Sequence, residues 1–190
     1  MHKIQVTHGL VLRKRGVGES NTQVALLTEE LGLLYASARS ARKEMSKLRY
    51  GLETLTTARY SLLRGRNEWK LVGVESVERL GAEPSRARQQ ASVARLLLRL
   101  VRGEEQSLEL YTLALEGLRA LGNTSSDEDA EALECILVLQ LLAALGYVPQ
   151  TLDSAWCITN GYTQESIARA REERRTLVRI INESLRVSGL

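Results

Sequence analysis

Leu55-Thr56-Thr57-Ala58-Arg59-Tyr60-Ser61-Leu62-Leu63-Arg64-Gly65-Arg66-Asn67-Glu68-Trp69-Lys70-Leu71-Val72-Gly73-Val74-Glu75-Ser76-Val77 is the stretch on which the fold turns. Two runs of strand length, 55–63 and 69–77, flank the tight connection Arg64-Gly65-Arg66-Asn67, the pattern of a hairpin with a glycine-containing turn. Upstream, Ile4, Val6, Leu10 and Leu12 recur on one face, with Gln5, Thr7 and Arg13 on the other, which predicts a half-buried strand over 4–13. Gly16-Val17-Gly18-Glu19-Ser20-Asn21 reads as a turn before a second apolar run, 24–28, and the Glu30-Leu31-Gly32 break precedes a third, 33–38. Five strands in 80 residues leave few free edges if they close on themselves, and a five-stranded barrel of the OB type is the economical solution. An SH3-like barrel has the same periodicity and stays open at this point.

Downstream, Leu80-Gly81-Ala82-Glu83-Pro84-Ser85 changes both composition and period, and Ser85 is placed to cap a following helix. The predicted domains are therefore 1–80, a barrel, and 86–190, an all-α bundle, giving an α+β chain. Ala91, Ala94, Leu97, Leu98 and Val101 keep one helical face, and Leu108, Tyr111, Leu115 and Leu118 keep another. Ser126 followed by Asp127, Glu128 and Asp129 supplies a cap oxygen and negative charge where a helix begins, and Gly146 with Pro149 supplies the stop. That helix is apolar on more than one face, which puts it at the centre of the bundle. Residues 147–162 read as an irregular connection, after which Thr163 caps one final helix. Its Arg169, Arg171, Arg174, Arg175 and Arg179 are interleaved with Glu165, Glu172 and Glu173, the pattern of a salt-laced exposed face.

The chain has 190 residues, 44% of them hydrophobic, enough for a packed core in one domain or two small ones. Its longest apolar run, 136–145, is broken by Gln140 and falls well short of the roughly 18 residues of a membrane span. The first residues alternate and form no secretion signal, so a cytoplasmic protein without a membrane partner is expected. Cys135 and Cys157 stand far apart, with His2 and His8 at the other end of the chain, and encode no zinc site. One disulfide between them is compatible with this spacing, as is a buried small hydrophobe at Cys135.

Residues 1–80 hold 14 Lys and Arg against 8 Glu and no Asp, a net +6, whereas 81–190 hold 12 against 15, a net −3. The basic half is the part suited to a polyanion. Its cations cluster: Arg39, Arg42, Lys43, Lys47 and Arg49 form one group, Arg13, Lys14 and Arg15 a second, and Arg64 and Arg66 mark the hairpin turn. A basic groove that follows phosphates, with aromatic faces for unstacked bases, is the chemistry such a barrel would use. Tyr50, inside Lys47-Leu48-Arg49-Tyr50, is the expected stacking residue, while Tyr35 and Trp69 alternate with apolar residues and are expected to be buried. The sequence contains no phosphate loop, no GxGxxG after a strand, no HExxH, no CxxC and no GxSxG. A binding protein without catalytic residues, metal or cofactor follows. The alternative to nucleic acid is an adaptor whose basic barrel docks an acidic protein tail.

Several segments resemble the RecO family of recombination mediators. Gly9-Leu10-Val11-Leu12-Arg13 resembles its first strand, and Gly18-Glu19 with Val24-Ala25-Leu26-Leu27-Thr28-Glu29-Glu30-Leu31-Gly32 its second strand and turn. Residues 36–43, Ser46-Lys47-Leu48 and Leu63-Arg64-Gly65-Arg66 follow in the family's order, and Leu141-Leu142-Ala143-Ala144-Leu145-Gly146-Tyr147-Val148-Pro149 is similar to its Leu-rich helix ending in Gly-Tyr-x-Pro. Two departures stand out. Only Cys157 lies where family members commonly carry four zinc-binding cysteines, so no metal is transferred, and Ser40 stands where a glycine is usual. The chain is also shorter than typical members. The resemblance implies an OB fold and a helical domain, and a non-enzymatic, nucleoid-associated protein. It further implies binding of single-stranded DNA, annealing of complementary strands and help for RecA in replacing single-stranded DNA-binding protein, usually with RecR. Arg39, Arg42, Lys43, Lys47 and Arg49 would then hold the strand, supported by Arg13, Lys14, Arg15, Arg64 and Arg66.

Overall fold

The computed structural model describes residues 3–66, 68–81, 83–148 and 155–189. His2, Asn67, Pro149 and Asp153 lie outside them. Five strands, β1 (Ile4–Val17), β2 (Asn21–Thr28), β3 (Gly32–Ala38), β4 (Thr56–Arg64) and β5 (Trp69–Arg79), close a barrel in the order β1-β2-β3-β5-β4. All neighbouring pairs are antiparallel except β3 with β5, which run parallel through Ala36↔Trp69 and Ser37↔Lys70. This order and this one parallel pair are those of an OB barrel, which excludes the SH3-like alternative.

The barrel interior is filled by Val24, Leu26, Leu34, Ala36, Ala38, Ala58, Tyr60, Leu62, Trp69 and Leu71, with Val11 from β1. Register decides which face of β1 this is. Thr7 pairs with Tyr60 and Gly9 with Ala58, so the inward residues of β1 are Thr7, Gly9 and Val11. The expected inward face is therefore corrected in its first half: Ile4 and Val6 point outward, 55% and 41% exposed, and Thr7 is buried. Leu10 and Leu12 are buried as expected, and a bulge falls between Val11 and Arg13. Period two identifies two faces but not which of them is the inside when both carry apolar residues.

The described residues form two compact units. One is 1–80 with 94–111, and the other is 81–93 with 112–190. The second contains α3 (Asp127–Ala144), buried on all sides from Cys135 to Leu142, which is the central helix the sequence predicts. Ser126 Oγ accepts the Asp129 N–H at 3.2 Å, so the acidic cluster caps and begins this helix. At its end Gly146 adopts φ +77°, and its N–H and that of Tyr147 close onto Ala143 and Leu142 carbonyls. The buried Gln140 amide is satisfied twice: Nε2 donates to the Cys157 carbonyl at 2.8 Å, and Oε1 accepts from the Tyr162 hydroxyl at 2.6 Å.

Four helical expectations are revised. Ser85 caps nothing: it sits inside a 3-10 turn, Pro84–Arg86, that leads into α1 (Ala87–Leu100). In α2 (Leu108–Asn123) Leu108 is exposed, and the buried face is Leu110, Ala114, Leu118 and Leu121 together with Tyr111. Residues 147–162 contain a short helix, α4 (Ala155–Thr159), that buries Trp156 and Cys157. The final helix is two: Thr163 caps α5 (Gln164–Glu172) by accepting from Ser166, and the chain breaks at Glu173 before α6 (Arg174–Val187), so that both segments lie on α3.

Both cysteines are free and buried. Burial pushes the Cys135 thiol up to about 11 and the Cys157 thiol up to about 12. Native protein at pH 8 is therefore expected to leave both thiols unmodified by a thiol-disulfide reagent, and denatured protein to lose both; rapid labelling of folded protein contradicts this. Gly32, at φ +67°, lies where an added Cβ would meet the Glu105 backbone. Gly32→Ala is expected to cost about 2 kcal/mol or more, read as a lower urea midpoint.

Candidate nucleic-acid interface

The basic segment between β3 and β4 is held on the end of the barrel by its own apolar residues. Ala41 and Leu52 enter the barrel core, and Leu48 packs against it. A 3-10 turn, Arg49–Leu52, brings the Gly51 carbonyl over Tyr60, whose hydroxyl donates to it at 2.7 Å. With 41, 48 and 52 turned inward, Arg42, Lys43, Lys47, Arg49 and Tyr50 are left on the surface, Tyr50 at 75% exposure.

Three of the expected cations meet at one cleft. Lys14, Arg42 and Arg49 line it with Glu53, Gly16, Thr22 and Ala41, around a space of about 590 Å³. Lys14 Nζ is paired with Glu53 at 2.7 Å. Arg42 is a latch as well as a charge: Nη1 donates to the Gly18 carbonyl at 2.9 Å, and its backbone N–H donates to Ser20. The same β1–β2 turn accepts the Ser40 N–H on Asn21 Oδ1 at 3.0 Å. Ser40 has φ +54°, a left-handed conformation that favours glycine.

On the outer face of the sheet, the register Arg13↔Ala25↔Tyr35 sets Arg13 and Tyr35 two strands apart, and the Arg13 guanidinium lies 5.8 Å from the Tyr35 ring centre. Tyr35 is 43% exposed, which corrects the expectation of burial. Leu34, Ala36 and Ala38 take the interior of β3, so Tyr35 and Ser37 must face out. Trp69 is buried, as expected. Arg64 is engaged rather than open: it pairs with Glu104 and stacks over Trp69, 4.7 Å from the ring centre. Partial burial pulls the Glu104 carboxyl upward, but hydrogen bonds from Arg64 and Trp69 and the Arg64 charge outweigh it and hold the group below the usual carboxylate range.

Arg15, Arg39, Lys43, Lys47, Arg49 and Arg66 are exposed and form no ion pair with the described residues. Arg39 lines a separate small cleft beside Asn21 and Glu68. Sequence reasoning misses two residues of this surface, Tyr35 and Glu104. For Tyr35 the signal is present in the alternation of β3; for Glu104 there is none, because its partners are about 40 positions away. No cluster of three or more His, Cys, Asp and Glu among the described residues could hold a metal ion, and no described helix is long and apolar enough to cross a membrane.

A closed five-stranded barrel with a cation-rich end and an outward arginine–tyrosine pair, followed by a helical unit, defines a protein of the OB class. Residues 1–81 match the family described as "Recombination protein O N terminal", and 91–182 match "Recombination protein O C terminal". Over 144 residues the chain is 35% identical to DNA repair protein RecO of Heliobacterium modesticaldum, covering 74% of this chain and 51% of that one. It is 30% identical over 153 residues to the protein of the same name from Gloeothece citriformis, 79% and 54% covered. With that of Dehalococcoides mccartyi it shares 29% over 169 residues, 84% and 66% covered. The chain belongs to the RecO family. It spans about half the length of the first two of these relatives.

The Arg42 latch has a measurable consequence. Arg42→Ala is expected to lower stability by about 1 kcal/mol, the worth of one hydrogen bond. Lys43→Ala and Lys47→Ala should stay within about 0.5 kcal/mol of the parent in urea denaturation.

Proposed function

We propose that the protein is a non-enzymatic recombination mediator in DNA repair. It binds single-stranded DNA, anneals complementary strands and assists RecA loading onto DNA coated by single-stranded DNA-binding protein, with RecR as a further partner. Residues 1–80 act as its nucleic-acid-binding domain and 86–190 as its helical domain, with 94–111 of the latter falling in the barrel's compact unit. The observation that carries this reading is the segment from Arg39 to Tyr50, anchored by Ala41 and Leu48 while Lys43, Lys47 and Arg49 stand in solvent. Such charges neutralise phosphates without reading sequence, and two strands held on one basic surface repel each other less. Exposed Tyr50, and Tyr35 beside Arg13, offer faces on which unpaired bases stack. Membership of the RecO family supports the place in repair.

Fluorescence anisotropy of a labelled single-stranded oligonucleotide, titrated at several salt concentrations, tests the site. Lys43→Glu with Lys47→Glu should weaken binding by about tenfold or more and flatten the log–log salt slope by about 0.7 for each phosphate no longer neutralised, with an unchanged melting temperature. Unchanged affinity in the folded double variant removes these residues from the site. No binding by the parent even at low salt overturns direct DNA contact and favours the adaptor.

A further inference from the structure

Residues 101–104 lie along a cleft of about 550 Å³ that also contains Tyr35, Arg64 and Trp69, all within the barrel unit. Both Glu104 carboxylate oxygens accept from Arg64 Nη1, at 2.7 and 2.6 Å, and Oε1 also accepts from Trp69 Nε1 at 3.0 Å. The guanidinium is stacked on the same indole. A cation and a ring N–H that converge on one point, with an aromatic face setting the guanidinium plane, make a built anion site. Its occupant is a carboxylate of the chain itself. Arg64 is 55% and Glu104 44% exposed, so their pair adds little stability and can exchange with an external anion. The site also stands where an OB barrel receives a strand, next to the β4–β5 turn and the β2–β3 face.

We propose that Arg64 and Trp69 form a phosphate subsite whose resident occupant is Glu104, so that a nucleic-acid phosphate enters by displacing that carboxylate. The inference rests on the DNA-binding reading above. Glu104 then acts as an internal competitor: it lowers affinity for any strand by the fraction of molecules in which it is seated. A strand reaching Tyr35 from the cleft would gain Arg64 only after this exchange.

Anisotropy of a labelled oligothymidylate, read for the parent, Glu104→Gln, Glu105→Gln and Glu104→Gln/Arg64→Gln, tests the exchange. Glu104→Gln should bind about three- to tenfold tighter at low salt, with a log–log slope steeper by about 0.7 for one added phosphate. Glu105→Gln removes the same charge from a neighbouring exposed position and should gain less than about twofold by long-range screening alone. The double variant should lose the gain. Equal effects of Glu104→Gln and Glu105→Gln, or a gain that survives removal of Arg64, overturn the subsite while leaving DNA binding intact. Failure of the parent and Glu104→Gln alike to bind at low salt overturns both the subsite and the DNA-binding function.

Discussion

Tyr60 sits in the wall of the barrel with its side chain fully buried, and a phenol in that position needs a hydrogen-bond partner away from water. The chain has no phenylalanine, so tyrosine and tryptophan carry the aromatic volume of the core. Burial pushes the Tyr60 phenol up and keeps it a neutral donor, and the acceptor it finds is the carbonyl of Gly51. Room for the ring comes from Gly9, where a Cβ would stand 3.1 Å from Tyr60 Cδ2. The interior thus reaches out of the barrel and ties down the segment from Arg39 to Leu52. Packing of the core and presentation of the basic surface are one construction, and removing the hydrogen bond would loosen both.

The cations of this surface divide by what they touch. Lys14 is held by Glu53, Arg64 by Glu104 and Arg42 by the Gly18 carbonyl, whereas Lys43, Lys47 and Arg49 extend into water. Exposed ion pairs of this kind contribute little to stability. Their effect is orientation: they fix guanidinium and ammonium groups at the ends of strands and leave them exchangeable. Lys43, Lys47 and Arg49 have no carboxylate partner among the described residues, whereas Lys14 and Arg64 are each held by one in an exposed pair.

In the helical unit, charge serves packing instead. Arg171 reaches Glu128 and Asp129 at 3.4 and 3.5 Å, and Arg174 reaches Glu131 at 3.1 Å, all at the start of α3. Arg86, 4% exposed, donates to the Thr124 and Ser125 carbonyls and to Asp127. The acids that begin α3 therefore both favour its N-terminus and receive arginines from other elements. Arg169 and Arg179 pair with Glu173 and Glu183 at i+4, and the Arg169 guanidinium also lies over the Trp156 ring of α4, 4.6 Å from its centre.

Local pattern was enough for the five strands, the hairpin at Gly65, the caps at Ser126 and Thr163, and the all-round apolar helix through Ile136, because each rests on neighbours within a few positions. It also sufficed to single out the cations, since charge is visible without coordinates. Pattern could not say which face of β1 is inside or where Glu173 breaks the last helix. Those depend on strand register and on what packs across the barrel or against α3. Nor could it show that Arg42 is a latch or that Glu104 fills the Arg64–Trp69 site. Residue type fixes what a side chain is able to bind; only contacts between positions tens of residues apart, made by closure of the barrel and return of the chain at 101–105, decide what it does bind.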